Sequence, residues 1–541
     1  MKFGFVIDNR KCIGCHACTT ACKSEHDVPV GVFRTWVKQV EKGVFPHTRR
    51  LFSVMRCNHC TDAPCVDICP VEALYTRPDG IVDFDKNRCI GCKSCMQACP
   101  YDALYIDPDS HTAAKCNYCA HRVDVGLEPA CVNICPEHAI ISGDMDNPDS
   151  EIAQLLGREQ VTVRKAAKGT VPNLFYINGD EASINPLANE KSDVTLWGSQ
   201  ERGVGHFAAA TEKLAYQGDD IIQSLLAANG SEVSAQEQRQ SDRGLRSVDV
   251  VMGSSRRVYD TPGKGILWGW EVSAYVWTKA ISAGAFLIPF LATVLGQADV
   301  SATTWWTGLG LGLVFLMLTG AFLVMDLDRP DRFLNVLLRP QWNSWLVKGG
   351  YAITGYGLAL TVLGAGLWFE MPLLADIGRW ASFLLAVIVA VYTAFLFAQA
   401  KGRDFWQSPA LPLHMLVHSL MAGASVFSLA LPFVATVAGW SGFLGTVLVV
   451  TISLNLLTIW MELSITHPTT EASTVVDMIV RGRYATRFRL GVLLTGNLLP
   501  LALLTLVDHP LAQAAAGALV LTGIFLTEKI WVEAPQQVPL S

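Results

Sequence analysis

The order of apolar and polar positions divides this 541-residue chain into three unequal stretches. From about residue 273 onward, apolar runs of roughly 20 residues or more recur, each long enough to cross a bilayer as a helix. Eight can be bounded, at about 273–297, 306–326, 343–368, 378–399, 409–437, 441–463, 488–507 and 511–531. Only Asp508, His509 and Pro510 separate the last two. A soluble chain would need eight consecutive buried core helices to give this pattern, so a membrane bundle is expected. The preceding stretch, about 186–265, is polar and rich in Ser, Gly, Gln, Asp and Arg. Within it, Thr211 to Ala228 has a helix-like run with Leu214, Ile221, Ile222, Leu225 and Leu226. The stretch reads as a linker or docking arm. Residues 1 to about 185 form a compact domain punctuated by cysteines.

Charge orients the bundle. With an even number of spans, both ends lie on one side, and the basic loop residues collect there. They are Arg256, Arg257 and Lys264, then Arg329, Arg332 and Arg339, then Lys401 and Arg403. Arg481, Arg483, Arg487, Arg489 and Lys529 complete the set, whereas the other side shows only Arg379. That side, which carries the cysteine domain, is expected to be cytoplasmic. The N-terminus, MKFGFVIDNRKC, shows no secretory h-region and no twin arginine, in keeping with that side. Trp268, Trp270, Trp305, Trp306, Trp342, Trp345, Trp406, Trp440 and Trp531 fall near span ends, as interfacial aromatics should.

Composition adds the chemistry. The chain is 51% apolar with a net charge of −6 and no basic tract, which argues against nucleic acid as a partner. All 16 cysteines lie between Cys12 and Cys135. In a reducing compartment such thiols are metal ligands rather than disulfides. They fall into four groups: Cys12, Cys15, Cys18, Cys22; Cys57, Cys60, Cys65, Cys69; Cys89, Cys92, Cys95, Cys99; and Cys116, Cys119, Cys131, Cys135. The first and third are near-repeats, CIGCHACTTAC and CIGCKSCMQACP, which suggests a duplication. C-x2-C-x2-C-x3-C-P is an iron–sulfur spacing in which three thiolates wrap one cube and the fourth reaches its partner. Zinc sites would not explain the x2-x2-x3 spacing occurring twice, nor C-x3-C-P closing three groups. Lys11, Arg88, Lys93, Lys115 and Arg122 lie near the motifs and would either raise cluster potentials or be ordinary surface charge.

These four motifs in this order resemble the iron–sulfur subunits of DMSO reductase and polysulfide reductase, over about residues 1–185 and including KGTVPNLFYING at 168–179. The resemblance implies an α+β ferredoxin-like domain of duplicated dicluster halves, holding four [4Fe–4S] clusters. It implies these ligand sets: Cys12, Cys15, Cys18 and Cys135; Cys22, Cys116, Cys119 and Cys131; Cys57, Cys60, Cys65 and Cys99; Cys69, Cys89, Cys92 and Cys95. The first motif lacks only the closing proline, and no ligand of the pattern is missing.

Electrons delivered to a bilayer need a lipid-soluble partner, and quinone is the general candidate. The intramembrane histidines, His414 and His418, are four apart on one helix face and cannot sandwich a haem, so no haem is expected. Ionisable residues within spans mark function by default. Lys279, Asp326, His414, His418 and Glu462, with Tyr392, all fall toward the cysteine-domain side. Lys279, Tyr392, His414, Asp326 and Glu462 are the candidate quinone and proton site. Asp326 and Glu462 could instead be caps or ion-pair partners, for example of Arg329, and the histidines interhelical hydrogen-bonders.

The second half, about 265–541, resembles the NrfD and polysulfide-reductase membrane anchors. WGWEVSAYVWTKAISAGAF, DLDRPDRFLNVLLRPQWNSWLVKGGY, SPALPLHMLVHSLMAGAS and WVEAPQQVPLS carry the likeness. It implies an all-α bundle of eight transmembrane helices, without haem, exchanging electrons with menaquinone or ubiquinone in its first four helices. Together the two resemblances imply a fused electron-transfer and anchor subunit of a bacterial or archaeal inner-membrane complex. Its partners would be a molybdopterin-containing catalytic subunit and the membrane quinone pool. Two alternatives remain open: an ion-translocating module, which needs ionisable groups through the outer leaflet, and a structural anchor without a quinone site.

Overall fold

The computed structural model describes residues 1–43, 47–189, 255–296, 300–432 and 440–541. The helix-like run at 211–228 lies outside them.

In the cysteine domain, Phe3–Asp8 is the centre of a four-stranded sheet. It pairs antiparallel with Ile140–Asp144 and parallel with Leu174–Ile177, and Val161–Thr162 forms the edge. Two short hairpins, Leu74–Thr76 with Val82–Phe84 and Leu104–Asp107 with Thr112–Lys115, flank the inner motifs. The near-repeat of the sequence is also a repeat of backbone. Gly14 and Gly91 both adopt φ 70°, and His16 and Lys93 adopt φ 61° and 59°. Each loop therefore curls around its three cysteines in the same left-handed way, and a short helix follows. Thr35–Lys42 and Arg49–Arg56 form a second sheet, completed by Ser255–Tyr259 from the polar stretch. The end of that stretch is thus built into the domain, pinned by the Trp36 indole donating to Asp260 at 2.9 Å.

Eight helices are long and apolar enough to cross a membrane: Trp270–Leu295, Ala302–Met325, Trp345–Trp368, Pro372–Gln399, Leu411–Ala430, Ser441–Ser464, Arg487–Leu506 and Pro510–Gln537. They are spans one to eight below. Local chemistry sets their ends: Ser301 caps span two by accepting from the Thr304 amide, and Pro372 opens span four. Span seven starts as a π-helix, Arg487–Leu498, and returns to α-geometry at Leu499, just before Pro500. Proline cannot donate into the preceding turn, which suits a wide turn there.

Spans one to four enclose one apolar core, with Phe286, Leu309, Tyr356, Leu360 and Val389. Spans five to eight enclose another, with Phe427, Leu444, Leu448, Val520 and Ile524. Span one is the most buried of the eight and contributes to both. It crosses span five backbone to backbone: a Cβ on Gly284 would stand 1.9 Å from the Ser419 carbonyl oxygen. Small residues at such crossings are how lipid-embedded helices pack closely.

The cysteine domain shares a continuous core with one end of the bundle. Trp268 stacks on Trp406 at 5.5 Å, and Phe397 on Trp406 at 4.8 Å. The Trp406 indole donates to the Trp531 carbonyl at 2.7 Å. The expectation of interfacial aromatics is therefore corrected for Trp268, Trp406 and Trp531, each at most 3% exposed, and for Trp305 and Trp440, also buried. They fill contacts between domains or helices, where a flat ring covers much apolar area. Trp270, Trp306 and Trp342 do remain exposed.

Candidate functional site

The fold brings the cysteines into four sets that cross motif boundaries. Cys12, Cys15, Cys18 and Cys135 lie together, as do Cys22, Cys116, Cys119 and Cys131. Cys57, Cys60 and Cys65 gather with Cys99, and Cys69 with Cys89, Cys92 and Cys95. Neighbouring sets lie within charge-interaction range in that order, Cys18 with Cys131, Cys57 with Cys116, and Cys95 with Cys65. The sets thus form a row. Cys15 at one end is exposed, and most of the others are buried.

The donor chemistry fits a metal cluster in each set. None of the sixteen cysteines is in a disulfide. Burial pushes the Cys22 and Cys65 thiols up, and neighbouring thiols add to it. Four such groups ionise together only around a cation. Donors already point at the sulfurs. The amides of Ala73 and Ala139 donate to Cys69 and Cys135 Sγ at 3.2 and 3.3 Å. The Arg56 guanidinium, fully buried, donates to Cys131 Sγ at 3.0 Å. Burial works against its charge, but Cys131, Cys116 and Cys18 more than offset that. Sequence reasoning misses Arg56; its only signal is that it precedes Cys57. Among the basic residues near the motifs, Lys115 is fully buried and donates to the Cys116 carbonyl at 2.9 Å. Arg122 pairs with Glu25, and Arg88 is surface charge.

The far end of the row meets the bundle. The Trp268 indole donates to the Cys92 carbonyl at 3.1 Å. Backbone amides of Asp328 and Arg329, in the loop after span two, donate to the Gly91 and Ile90 carbonyls. A Cβ on Gly91 would stand 2.7 Å from Asp328 Cβ, so this contact requires glycine. Here a cavity of about 190 Å³ opens, walled by Cys92 and Ser94 on one side and by spans one to four on the other. Val272, Tyr275, Leu323, Val336, Ile353 and Leu396 make it largely apolar, with Asp326 and Tyr392 at its polar points.

The five candidate residues do not converge on one site. Asp326 and Tyr392 line the cavity. Lys279 sits one layer behind, donating to Thr393 Oγ1 at 2.7 Å and the Ala390 carbonyl at 3.1 Å, with its ammonium 4.9 Å from the Tyr392 ring. His414 and Glu462 belong to the other bundle, hydrogen-bonded to each other at 2.9 Å, and are not part of the cavity wall. Membrane depth gives them the same level but not the same bundle. Asp326 is paired with Lys93 of the cysteine domain at 3.8 Å, whereas Arg329 pairs with Asp331. Lys93 also meets Asp328 at 3.3 Å. Sequence reasoning also misses Tyr275, although it lies four residues before Lys279 on the same helix face.

A second, larger space of about 1000 Å³ separates the two halves on the other flank. Charged residues line it: Lys165 pairs with Glu471 at 2.7 Å, and Lys168 with Asp404 and Glu471. Burial pushes Lys165 down to about 8, against the pull of Glu471. Glu462 stands at the membrane end of this cleft.

Comparison with known proteins agrees with this geometry. Residues 11–74 and 48–145 each match a 4Fe-4S dicluster domain. The chain is 43% identical over 200 residues to a tetrathionate reductase subunit of Salmonella typhimurium, spanning 36% of this chain and 80% of that protein. It is 40% identical over 188 residues to a polysulfide reductase component of Wolinella succinogenes (34% and 97%). It is 33% identical over 225 residues to the arsenate respiratory reductase iron–sulfur subunit ArrB of a Shewanella species (33% and 96%). Residues 261–532, half of the chain, match the family described as polysulphide reductase, NrfD. The chain is therefore an iron–sulfur electron-transfer protein with a multi-pass membrane anchor, and it belongs to the polysulphide reductase NrfD family.

Proposed function

We propose that this chain carries electrons between a molybdopterin-containing catalytic subunit and the membrane quinone pool. The observation that carries this reading is the cavity that Cys92 shares with the first four-helix bundle. Four [4Fe–4S] clusters, when bound, supply one-electron transfer. Cys12, Cys15, Cys18 and Cys135 would hold the one nearest solvent, where exposed Ile13 and Ile134 offer a contact for a catalytic partner. Cys69, Cys89, Cys92 and Cys95 would hold the one nearest the cavity. Trp268, clamped to the Cys92 carbonyl, fixes that end of the row against the bundle.

The cavity suits a quinone ring: apolar walls for the ring faces and tail, and the Tyr392 hydroxyl and Asp326 carboxyl at the carbonyl ends. Menaquinone and ubiquinone share that chemistry. No haem is part of this reading. The charge asymmetry of the loops supports an iron–sulfur domain on the cytoplasmic side of a bacterial or archaeal inner membrane. Protease added to sealed, right-side-out vesicles should leave that domain intact, and digestion from outside would reverse the orientation.

The test is to add a quinol analogue to the purified, cluster-loaded protein and follow cluster reduction by EPR. Quinol-dependent reduction supports the reading. Intact clusters that stay oxidised would make this a purely structural anchor.

A further inference from the structure

The second bundle holds ionisable residues that the cavity does not use. His414 and His418 on span five face Glu462 on span six and Glu528 on span eight, all at most 4% exposed. Their hydrogen-bond directions can be worked out from one fixed end. The Val492 carbonyl, in the π-helical part of span seven, can only accept. Asn497 Nδ2 therefore donates to it at 2.8 Å. That turns Asn497 Oδ1 toward Asn455 Nδ2 at 2.9 Å. Asn455 Oδ1 then faces His418 Nε2 at 3.1 Å, so Nε2 must carry a hydrogen. The other nitrogen, Nδ1, lies 2.7 Å from Glu528 Oε1, a contact that needs one proton between them. The proton sits on the ring or on the carboxyl, and in both cases the pair is neutral and holds one transferable proton.

Both flanks of this pair lead somewhere. The His414 ring lies 4.2 Å from the His418 ring. One donor atom each of His414, His418 and Glu528 falls within 4.8 Å of the others. A metal is disfavoured there, because both His418 nitrogens are already turned to protein partners. His414 Nδ1 meets Glu462 Oε2, which the Trp531 indole also holds at 3.0 Å. Glu462 Oε1 is buried with no protein partner, and Glu462 lines the charged cleft. On the other flank, span eight packs against span one, with the Trp277 indole donating to the Leu521 carbonyl at 3.0 Å and its ring edge-on to Phe525, and Glu528 of span eight lies within charge-interaction range of Lys279 of span one. Lys279 touches Thr393 and the ring of Tyr392, at the cavity wall.

We propose that Glu462, His414 and the His418–Glu528 pair form a proton relay between the charged cleft and Lys279 beside the cavity. The inference rests on the quinone reading above. Quinone, two electrons and two protons give quinol; electrons arrive from the cysteine domain and protons pass along the relay. Quinol oxidation runs the same balance backwards. Asn455 and Asn497 are positioning residues that fix the His418 tautomer, and Trp531 positions Glu462.

Two measurements on the full-length, cluster-loaded protein test this. In the first, clusters reduced with dithionite are mixed with decylubiquinone. Glu462→Gln should slow reoxidation by about 100-fold, the usual scale for losing a positioned proton carrier, with quinone affinity and EPR spectra unchanged. Glu462→Asp, or a small weak acid able to enter the cleft, should restore part of the rate. A wild-type rate and pH profile in Glu462→Gln would overturn the relay. In the second, which needs no quinone, infrared spectroscopy follows exchange into D2O of the band that Glu528→Gln removes. Exchange should be slower in Glu462→Gln than in wild type, and equal exchange would overturn the relay. A wild-type protein that fails to react with decylubiquinone but shows Glu462-dependent exchange would sink the quinone reading alone.

Discussion

The two halves of this protein keep charge out of water in opposite ways. The cysteine half concentrates it: sixteen thiols in four sets, with buried Arg56 and Lys115 set directly among them. The membrane half disperses it. One lysine stands behind an apolar cavity in the first bundle, and two His–Glu pairs sit side by side in the second. The first arrangement suits a stationary electron carrier, whose charge must be neutralised on the spot. The second suits groups that take up and release a proton, where a neutral pair avoids the cost of an isolated ion in a bilayer.

Substitutions can break this contrast, and the largest effect should come from the junction. Cys95→Ser removes a proposed ligand from the set nearest the cavity. Quinol-driven cluster reduction should fall to background, while EPR still detects the clusters further along the row. Undiminished reduction would mean that electrons enter elsewhere. Next, Gly320→Leu fills the cavity from span two. A Cβ there meets nothing within 4 Å, so the fold should tolerate the side chain. Binding of a quinone analogue, measured by fluorescence quenching, should weaken about tenfold or more, which is about 1.4 kcal/mol. EPR spectra should not change.

Arg56→Met sharpens the other side of the contrast. It removes a buried cation from beside Cys131, so one cluster should titrate at a lower potential in an EPR redox titration. Stability to denaturant should drop by about 3 kcal/mol, as when one partner of a buried charge pair is removed. The smallest effect belongs to Arg88→Ala, an exposed cation of the cysteine half paired with Glu72 at 3.8 Å. Its loss should cost about 1 kcal/mol or less, read as a small fall in thermal midpoint. Added salt should shrink the difference further.

The halves also differ in how much of them the sequence discloses. Metal ligation imposes spacing over a few residues, so the cysteine motifs and their repeated loops can be read directly. Eight spans are equally plain, because bilayer thickness fixes their length. The membrane site is not local in this way. Tyr275, Thr393 and Asp326 meet at or beside one cavity from three helices, and depth along a helix does not say which bundle a residue faces. That is why His414 and Glu462 share a level with Lys279 yet lie across span one from the cavity. Asn497 is aimed by a π-helical turn, which no apolar period reveals. Trp406 and Trp531 look like membrane-interface residues until the docked domain covers them.

The electron-transfer role proposed for the membrane half depends on quinone meeting the electron row in the cavity beside Cys92. A photoreactive azidoquinone, crosslinked to the purified protein and mapped by mass spectrometry, addresses this directly. Labels should fall on peptides of spans two and three that line the cavity, around Gly320–Leu327 and Leu346–Thr354. Excess quinol should protect these positions. Protectable labelling confined to spans five to eight would contradict this placement of the quinone site.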